Sequence, residues 1–228
     1  YGEDWRWRLA VQPGSRDYIR GWKAAVVPGC VLNDLWQNGD IADPHFECNS
    51  LLSEWACQRT WLYRKTFTPE AGLKGQRVRL VFKGVDYQME VFLNGESLGM
   101  HTGMYTPATF EVGERLRYGE ENLLVVVVAQ APQEQPQVSR SSLVRTHKAR
   151  MNYWWDFCPR LVHQGIWDEV YLEASGYAML EDVYVRPVFK QNLEQVEVRV
   201  ACRVNSTAAG KGQIEVKLSL GGETVASS

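Results

Sequence analysis

Residues 89 to 95 read Met-Glu-Val-Phe-Leu-Asn-Gly, an apolar alternation that ends in a turn signal. Met89, Val91 and Leu93 recur with a period of two, which is typical of a strand with one buried face. The dipeptide Asn94-Gly95 favours a two-residue turn in which both residues have positive φ. The segment therefore predicts a β-strand that enters a β-hairpin.

Similar alternation recurs on both sides of this segment. Residues 122–130 are apolar from Leu123 to Ala129, which predicts a strand covered on both faces. One helix is predicted over Cys30 to Asn38, with Gly39 as its stop, and residues 40–57 are expected to be irregular with a helical turn near Glu54. Many short strands with one peripheral helix predict an all-β sandwich of two sheets. The other predicted strands cover residues 5–9, 60–67, 78–83, 109–112 and 166–173; residues 131–147 read as a long exposed loop.

A shift in composition after Ser175-Gly176 predicts a second domain. Three alternating segments, residues 178–189, 196–204 and 214–220, have polar turns between them and immunoglobulin-like character. Three or four strands are about half of such a sandwich. We therefore predict a first domain over residues 1–175 and a partial, truncated immunoglobulin-like sandwich over residues 176–228.

The composition is that of an ordinary globular chain. The 228 residues are 45% hydrophobic with a formal net charge of −2, so no basic surplus favours a nucleic-acid partner. The longest apolar run, Leu123 to Ala129, is too short to span a bilayer, and no membrane partner is expected. Five cysteines without a C-x-x-C motif favour free thiols and a cytoplasmic location. The four scattered histidines predict no metal site, and no cofactor is expected.

The most distinctive stretch lies between residues 153 and 167. It crowds aromatic residues around a single acid, Asp156, and Pro159 stiffens the backbone beside them. Flat aromatic faces next to a carboxylate suit a sugar, whose ring offers apolar C–H faces and hydroxyl groups. The run precedes a predicted strand, so it is expected on a loop held by a rigid element, where binding sites are common. The aromatic residues are Tyr153, Trp154, Trp155, Phe157 and Trp167.

At these residues the chain resembles the amino-terminal part of glycoside hydrolase family 2, in its β-mannosidase branch. The family pattern reads aromatic-Trp-Asp-Trp-Gly-Pro-Arg followed by Gly-Ile-Trp, against Trp154 to Arg160 and Gly165 to Trp167 here. Phe157 and Cys158 depart from it, since the family has Trp and Gly at these positions. The resemblance runs from about Trp5 to Glu173, and its other matching pieces are residues 27–30, 61–65, 82–86 and 91–95.

The resemblance implies a jelly roll of the galactose-binding type and a place in a retaining glycosidase. It implies that Asp156 hydrogen-bonds a sugar in the active-site pocket and that Trp155 lines this pocket. Trp154, Phe157 and Arg160 are expected to support the loop. The family carries its catalytic carboxylates on a TIM barrel, with the acid/base Glu directly after an Asn. No Asn-Glu dipeptide occurs here. The expected partners are therefore a β-linked mannoside or related glycoside and a catalytic barrel of the same polypeptide, and no catalytic residue is expected in this chain.

The residues alone leave alternatives open. An acid among aromatic side chains either faces a ligand or pairs with a cation such as Arg160. Trp154 and Trp155 either line a site or fill the core, and for Trp167 we expect the core. At the level of function, the alternatives are an independent carbohydrate-binding module and a purely structural sandwich whose tryptophans serve as core or interface.

Overall fold

The computed structural model describes residues 21–133, 144–190 and 194–227. The chain divides into two compact units, Tyr1–Glu173 and Ala174–Ser228. This division falls two residues before the Ser175-Gly176 boundary predicted from composition. The predicted strand over residues 5–9 and most of the predicted loop over residues 131–147 lie outside the described residues.

Two antiparallel sheets form the first unit. The four-stranded sheet has the order β1-β7-β4-β5, and the three-stranded sheet has the order β6-β2-β9. A short pair, β3 with β8, lies beside them. The strands are β1 Trp61–Phe67, β2 Arg77–Phe82, β3 Val85–Asp86, β4 Gln88–Leu93, β5 Glu96–Thr102, β6 Ala108–Glu111, β7 Asn122–Val128, β8 Gly165–Ile166 and β9 Val170–Ser175. The predicted all-β class is confirmed.

Alternate residues of three strands build the main core. One cluster contains Val78, Leu80 and Phe82 of β2, Met89, Val91 and Leu93 of β4, and Leu124, Val126 and Val128 of β7. The opposite face of β7 contributes Leu123, Val125 and Val127 to a second buried cluster. All seven β7 residues are buried, which confirms the prediction of a strand covered on both faces. Each such side chain stabilises the fold by about 1.5–3 kcal/mol.

The hairpin predicted from Asn94-Gly95 joins β4 to β5. Asn94 and Gly95 have φ of 53° and 91°, the left-handed pair that a two-residue hairpin turn of this type requires. The Asn94 side chain also donates to Asn122 Oδ1 at 2.9 Å and accepts from the Leu123 backbone N–H at 3.0 Å. These bonds tie the turn to β7.

The helical segments precede β1 and connect the strands. Helix α1, Val31–Gln37, lies within the range predicted from sequence, buries Val31, Leu32 and Leu35, and ends beside Gly39 at φ 74°. The segment expected to hold one helical turn holds two, the helix α2 Asn49–Leu52 and the 3₁₀-helix Glu54–Gln58. Two further 3₁₀-helices cover Ala71–Leu73 and Arg150–Tyr153.

The strand predicted over residues 166–173 is interrupted, and the prediction of a continuous strand is wrong. The backbone N–H groups of Trp167 and Asp168 both point at the carbonyl of Gly84, at 3.1 and 3.4 Å. Two residues opposite one is the arrangement of a β-bulge, which bends a strand. The chain therefore pairs with β3 as β8, turns at residues 167–169, and continues as β9.

The second unit consists of two antiparallel pairs. They are β10 Ala178–Phe189 with β11 Val196–Ser206, and β12 Lys217–Leu220 with β13 Glu223–Ser227. The turn Gly221-Gly222, with φ of 60° and 91°, joins the last two strands. No described residue of this unit is buried. Its assignment as a partial immunoglobulin-like sandwich stays a prediction.

Candidate functional site

The candidate site lies on the aromatic loop, residues 149–162, which precedes β8. Trp155 and Cys158 exchange two backbone hydrogen bonds, at 3.4 and 3.3 Å. This miniature hairpin places Asp156 and Phe157 at a two-residue tip. Asp156 is exposed, and Phe157 is 70% exposed. The local backbone therefore presents a carboxylate and a flat aromatic ring to the solvent.

Trp154 has an unusual backbone conformation directly before this tip. Its φ of 105° and ψ of 143° lie in a region that glycine adopts easily and other residues do not. Holding a tryptophan there costs on the order of 1–3 kcal/mol. The side chain is 60% exposed, whereas Trp155 is half-buried. Trp154 is therefore not a core residue, and the strain at this position aims an indole outward.

Arg160 contacts the loop and the 3₁₀-helix that begins at Glu54. Its Nη1 lies 3.3 Å from Glu54 Oε1, and its guanidinium carbon lies 5.6 Å from the centre of the Tyr153 ring. Within the described residues, Asp156 takes part in no salt bridge. The alternative in which Arg160 neutralises Asp156 is therefore not the arrangement in this structure.

Tyr153 anchors the loop from below. Its ring is buried, and its hydroxyl donates a hydrogen bond to the carbonyl of Pro132. The ring contacts two cations, because Lys148 Nζ lies 5.8 Å from its centre and Arg160 approaches it as well. Burial raises the pKa of the Tyr153 phenol, so the phenol stays neutral and keeps the proton of its hydrogen bond to the carbonyl.

A buried ion pair lies at the base of the aromatic loop. Lys148 Nζ contacts Asp86 Oδ2, and the two side chains are 0% and 2% exposed. Lys148 Nζ also donates to the carbonyl of His163 at 2.8 Å. Burial raises the pKa of Asp86 and lowers that of Lys148, since each charge loses its water. The sequence analysis gave Asp86 no role, although it belongs to the matching piece at residues 82–86.

Trp167 lies against the surface of the sheet, and its expected place in the core is wrong. The indole is 37% exposed, and its Nε1 donates to the carbonyl of Met104 at 3.0 Å. Its ring packs on the backbone of Gly84, where even one added carbon would come within 2.4 Å of it. Tyr105 meets it edge-on at 6.4 Å between ring centres. The backbone of Gly84 therefore covers part of the indole, and more than a third of the side chain stays exposed.

The other tryptophans in the described part of the chain are also accessible to solvent. None of the seven that the structure describes is buried; five are exposed, and Trp61 and Trp155 are half-buried. The interpretation of the tryptophans as core residues is therefore wrong for the five exposed ones, whereas Trp61 packs against the buried cluster that includes Leu32 and Leu35 of α1. The exposed part of each side chain can contact a ligand or another part of a protein.

The aromatic loop does not enclose a pocket by itself. A cavity of about 810 Å³ lies between the segment before α1, β1 and β9, and none of the loop residues lines it. Among the described residues, no group of three or more His, Cys, Asp or Glu could hold a metal ion. No helix in the described ranges is long and apolar enough to cross a membrane. The loop can therefore supply one side of a site, with a carboxylate acceptor and aromatic faces.

Comparison with known proteins gives a consistent family match. Residues 5–168 match the family of glycosyl hydrolase 2 galactose-binding domain-like sequences. A β-mannosidase from Mus musculus is 28% identical over 93% of this chain and 26% of its own length. β-Mannosidase B from Thermothelomyces thermophilus is 28% identical over 98% of the chain and 27% of its own length. The chain thus spans about a quarter of the curated relatives that it matches.

Solved structures agree with this match. The β-D-mannosidase of Dictyoglomus thermophilum superposes with a TM-score of 0.72 at 30% identity, over 82% of this chain and 24% of that one. The exo-chitosanase of Amycolatopsis orientalis superposes with a TM-score of 0.73 at 21% identity, over 99% of this chain and 25% of that one. At that identity the second likeness supports the fold alone.

Proposed function

We propose a role in glycoside hydrolysis for this chain, which belongs to the glycosyl hydrolase 2 galactose-binding domain-like family. In this proposal the chain is the non-catalytic, sugar-binding part of a longer, β-mannosidase-like enzyme. Two of the relatives described above are named β-mannosidases, and the chain covers about a quarter of each. Its partners would be a β-linked mannoside or related glycoside and a catalytic barrel of the same polypeptide.

The observation that carries the proposal is the exposed tip of the aromatic loop. Asp156 stands on it without a salt bridge to any described residue, between the half-buried Trp155 and the exposed Phe157. A carboxylate accepts charge-assisted hydrogen bonds from sugar hydroxyls, and the flanking rings offer apolar faces. A protruding tip cannot surround a sugar, so we assign it one wall of a pocket that the rest of the enzyme completes.

The reaction itself would take place on other residues. Retaining hydrolysis needs a nucleophilic carboxylate and an acid/base carboxyl about 5–5.5 Å apart. The Asn-Glu pair that marks the acid/base residue in this family does not occur in the sequence. Asp156 would then act by binding. If its hydrogen bond shortens as the sugar distorts toward the transition state, its contribution lowers the barrier as well as the Michaelis constant.

Kinetics of Asp156 variants in the longer enzyme test this role. Asp156→Asn keeps the shape and removes the charge, and Asp156→Ala removes both. A hydrogen bond to a charged group contributes about 1.5–3 kcal/mol, so kcat/KM on an aryl β-mannoside should fall roughly 10- to 150-fold. The melting temperature should stay unchanged, because an exposed carboxylate supports no core. Glu96→Gln, an exposed acid beside the β4–β5 turn, is the matched control and should leave kcat/KM unchanged.

An unchanged kcat/KM in Asp156→Ala would refute the ligand role. A second measurement separates the carbohydrate-binding-module alternative. The purified chain should hydrolyse no aryl β-mannoside above a buffer blank and should bind free monosaccharides only weakly. Calorimetric binding of a monosaccharide by this chain alone, at millimolar affinity or better, would favour the independent module.

A further inference from the structure

We propose that Lys148 is a positioning residue, whose ammonium group holds the two ends of the aromatic loop together and so aims its tip. This inference rests on the proposed function only in assigning the tip to a sugar; the closure of the loop by Lys148 does not depend on it. Lys148 directly precedes the loop, and His163 directly follows it. Since Lys148 Nζ donates to the carbonyl of His163, one side chain closes the loop at its base.

The closure is fixed to the sheet by a second contact of the same ammonium. Asp86 belongs to β3, which pairs with β8 through Asp86 and Gly165, immediately beyond the loop. Its carboxylate binds Lys148, so the ion pair connects the entry of the loop to the strand pair at its exit. The two side chains are at most 2% exposed, so water is not available to replace either partner.

The energetics favour a geometric role over a purely stabilising one. A buried ion pair gains little net stability, because the desolvation of both charges offsets their attraction. Apolar residues of similar volume would hold the same space equally well. What apolar residues cannot supply is a donor to the carbonyl of His163. The backbone of Trp154 lies within this closed loop, and a residue stays in its strained conformation only when its surroundings enforce it.

The double variant Asp86→Val/Lys148→Met separates positioning from stability. The single variant Lys148→Met leaves a buried carboxylate without its cation and loses both the ammonium donor and stability. The double variant removes both charges, so its melting temperature should recover toward that of the wild type. The donor to His163 remains absent in both. A role in stability alone predicts recovery of everything in the double variant, whereas a positioning role predicts a loop that stays loose.

Hydrogen–deuterium exchange of this chain, read by mass spectrometry, reports the loop directly. In both variants the amides of residues 150–163 should exchange roughly 10- to 150-fold faster than in the wild type, the equivalent of one hydrogen bond to a charged group. In the double variant the amides of β2 and β7 should exchange as in the wild type. Lys83→Met, which removes a surface ion pair with Glu169, is the matched control and should leave the loop unchanged.

Wild-type exchange of the loop in a thermally recovered double variant would overturn the proposal. So would loosening of the loop by Lys83→Met to the same degree. In the longer enzyme, the double variant should lower kcat on an aryl β-mannoside together with the loss of loop protection. If Asp156→Ala is kinetically silent while the loop still loosens in the double variant, the proposed function fails and the positioning role stands.

Discussion

Gly165 occupies the tightest position near the base of the aromatic loop, and its replacement by alanine should be costly. Its φ is 135°, and a Cβ placed on it would lie 2.5 Å from Tyr63 Oη and 3.4 Å from Cys30 Cα. Two costs combine: about 1–3 kcal/mol of backbone strain and about 1–3 kcal/mol of overpacking. We therefore expect Gly165→Ala to lower the free energy of unfolding by roughly 2–6 kcal/mol.

A double-mutant cycle divides these two costs. Tyr63→Phe removes the oxygen that the new methyl group would meet, so Gly165→Ala should cost about 1–3 kcal/mol less in the Tyr63→Phe background. The remaining cost is the backbone strain together with the close contact to Cys30 Cα, neither of which a change at Tyr63 relieves. Urea denaturation followed by tryptophan fluorescence gives all four free energies. Gly72→Ala is the matched control, since a Cβ there meets nothing within 4 Å, and it should be neutral or slightly stabilising.

A cost of Gly165→Ala below about 1 kcal/mol would contradict the expected strain, because it is less than the least strain expected for this conformation. Strict additivity in the cycle would show that the methyl group does not meet the Tyr63 hydroxyl. A decrease in the denaturant dependence of Gly72→Ala as well as Gly165→Ala would point to a change in the unfolded state instead.

Three further substitutions have expected outcomes. In Lys148→Met the pKa of Asp86, already raised by burial, should rise further because the carboxylate loses its cation. The variant should therefore lose about 3–5 kcal/mol of stability at pH 7, where Asp86 must be charged in the unfolded chain. This loss should shrink in urea melts repeated toward pH 4, because the folded state then binds a proton at Asp86 that the unfolded state binds less tightly. Trp154→Gly should be more stable than Trp154→Ala by about 1–2 kcal/mol in calorimetry, the reverse of the usual order, because only glycine relieves the strained φ. Asn122→Ala should cost roughly 3–5 kcal/mol by chemical denaturation, since its fully buried amide makes one hydrogen bond with Asn94 of the β4–β5 turn and three with backbone groups of Arg117 and Glu120.

Predictions that rest on local pattern agree with the structure. The Asn94-Gly95 turn, helix α1 and the doubly covered β7 each depend on neighbouring residues, because turn conformation, helix ends and a two-residue alternation are properties of a short segment. The continuous strand predicted over residues 166–173 is interrupted in the structure for a non-local reason. Its interruption depends on the carbonyl of Gly84, more than eighty residues earlier in the chain.

The candidate site likewise has a part that the sequence predicts and a part that it does not. The run Trp154 to Phe157 is visible in the sequence, since aromatic residues around one acid stand out by composition. The partners that hold this run are not, because Arg160 binds Glu54, and Lys148 binds an acid 62 positions away. Which of several acids meets a given cation is a matter of how the chain folds back on itself.

By itself, the sequence determined the class of fold, the family and the segment that carries the candidate site. Only the tertiary structure decided which aromatic side chains are exposed and which charges are buried. A tryptophan is equally suited to a core and to a surface, so its place depends on what packs above it, as Trp167 on Gly84 illustrates. A lysine is buried only where a carboxylate and a carbonyl compensate its lost hydration, and β3 and the end of the aromatic loop bring these two groups together at Lys148.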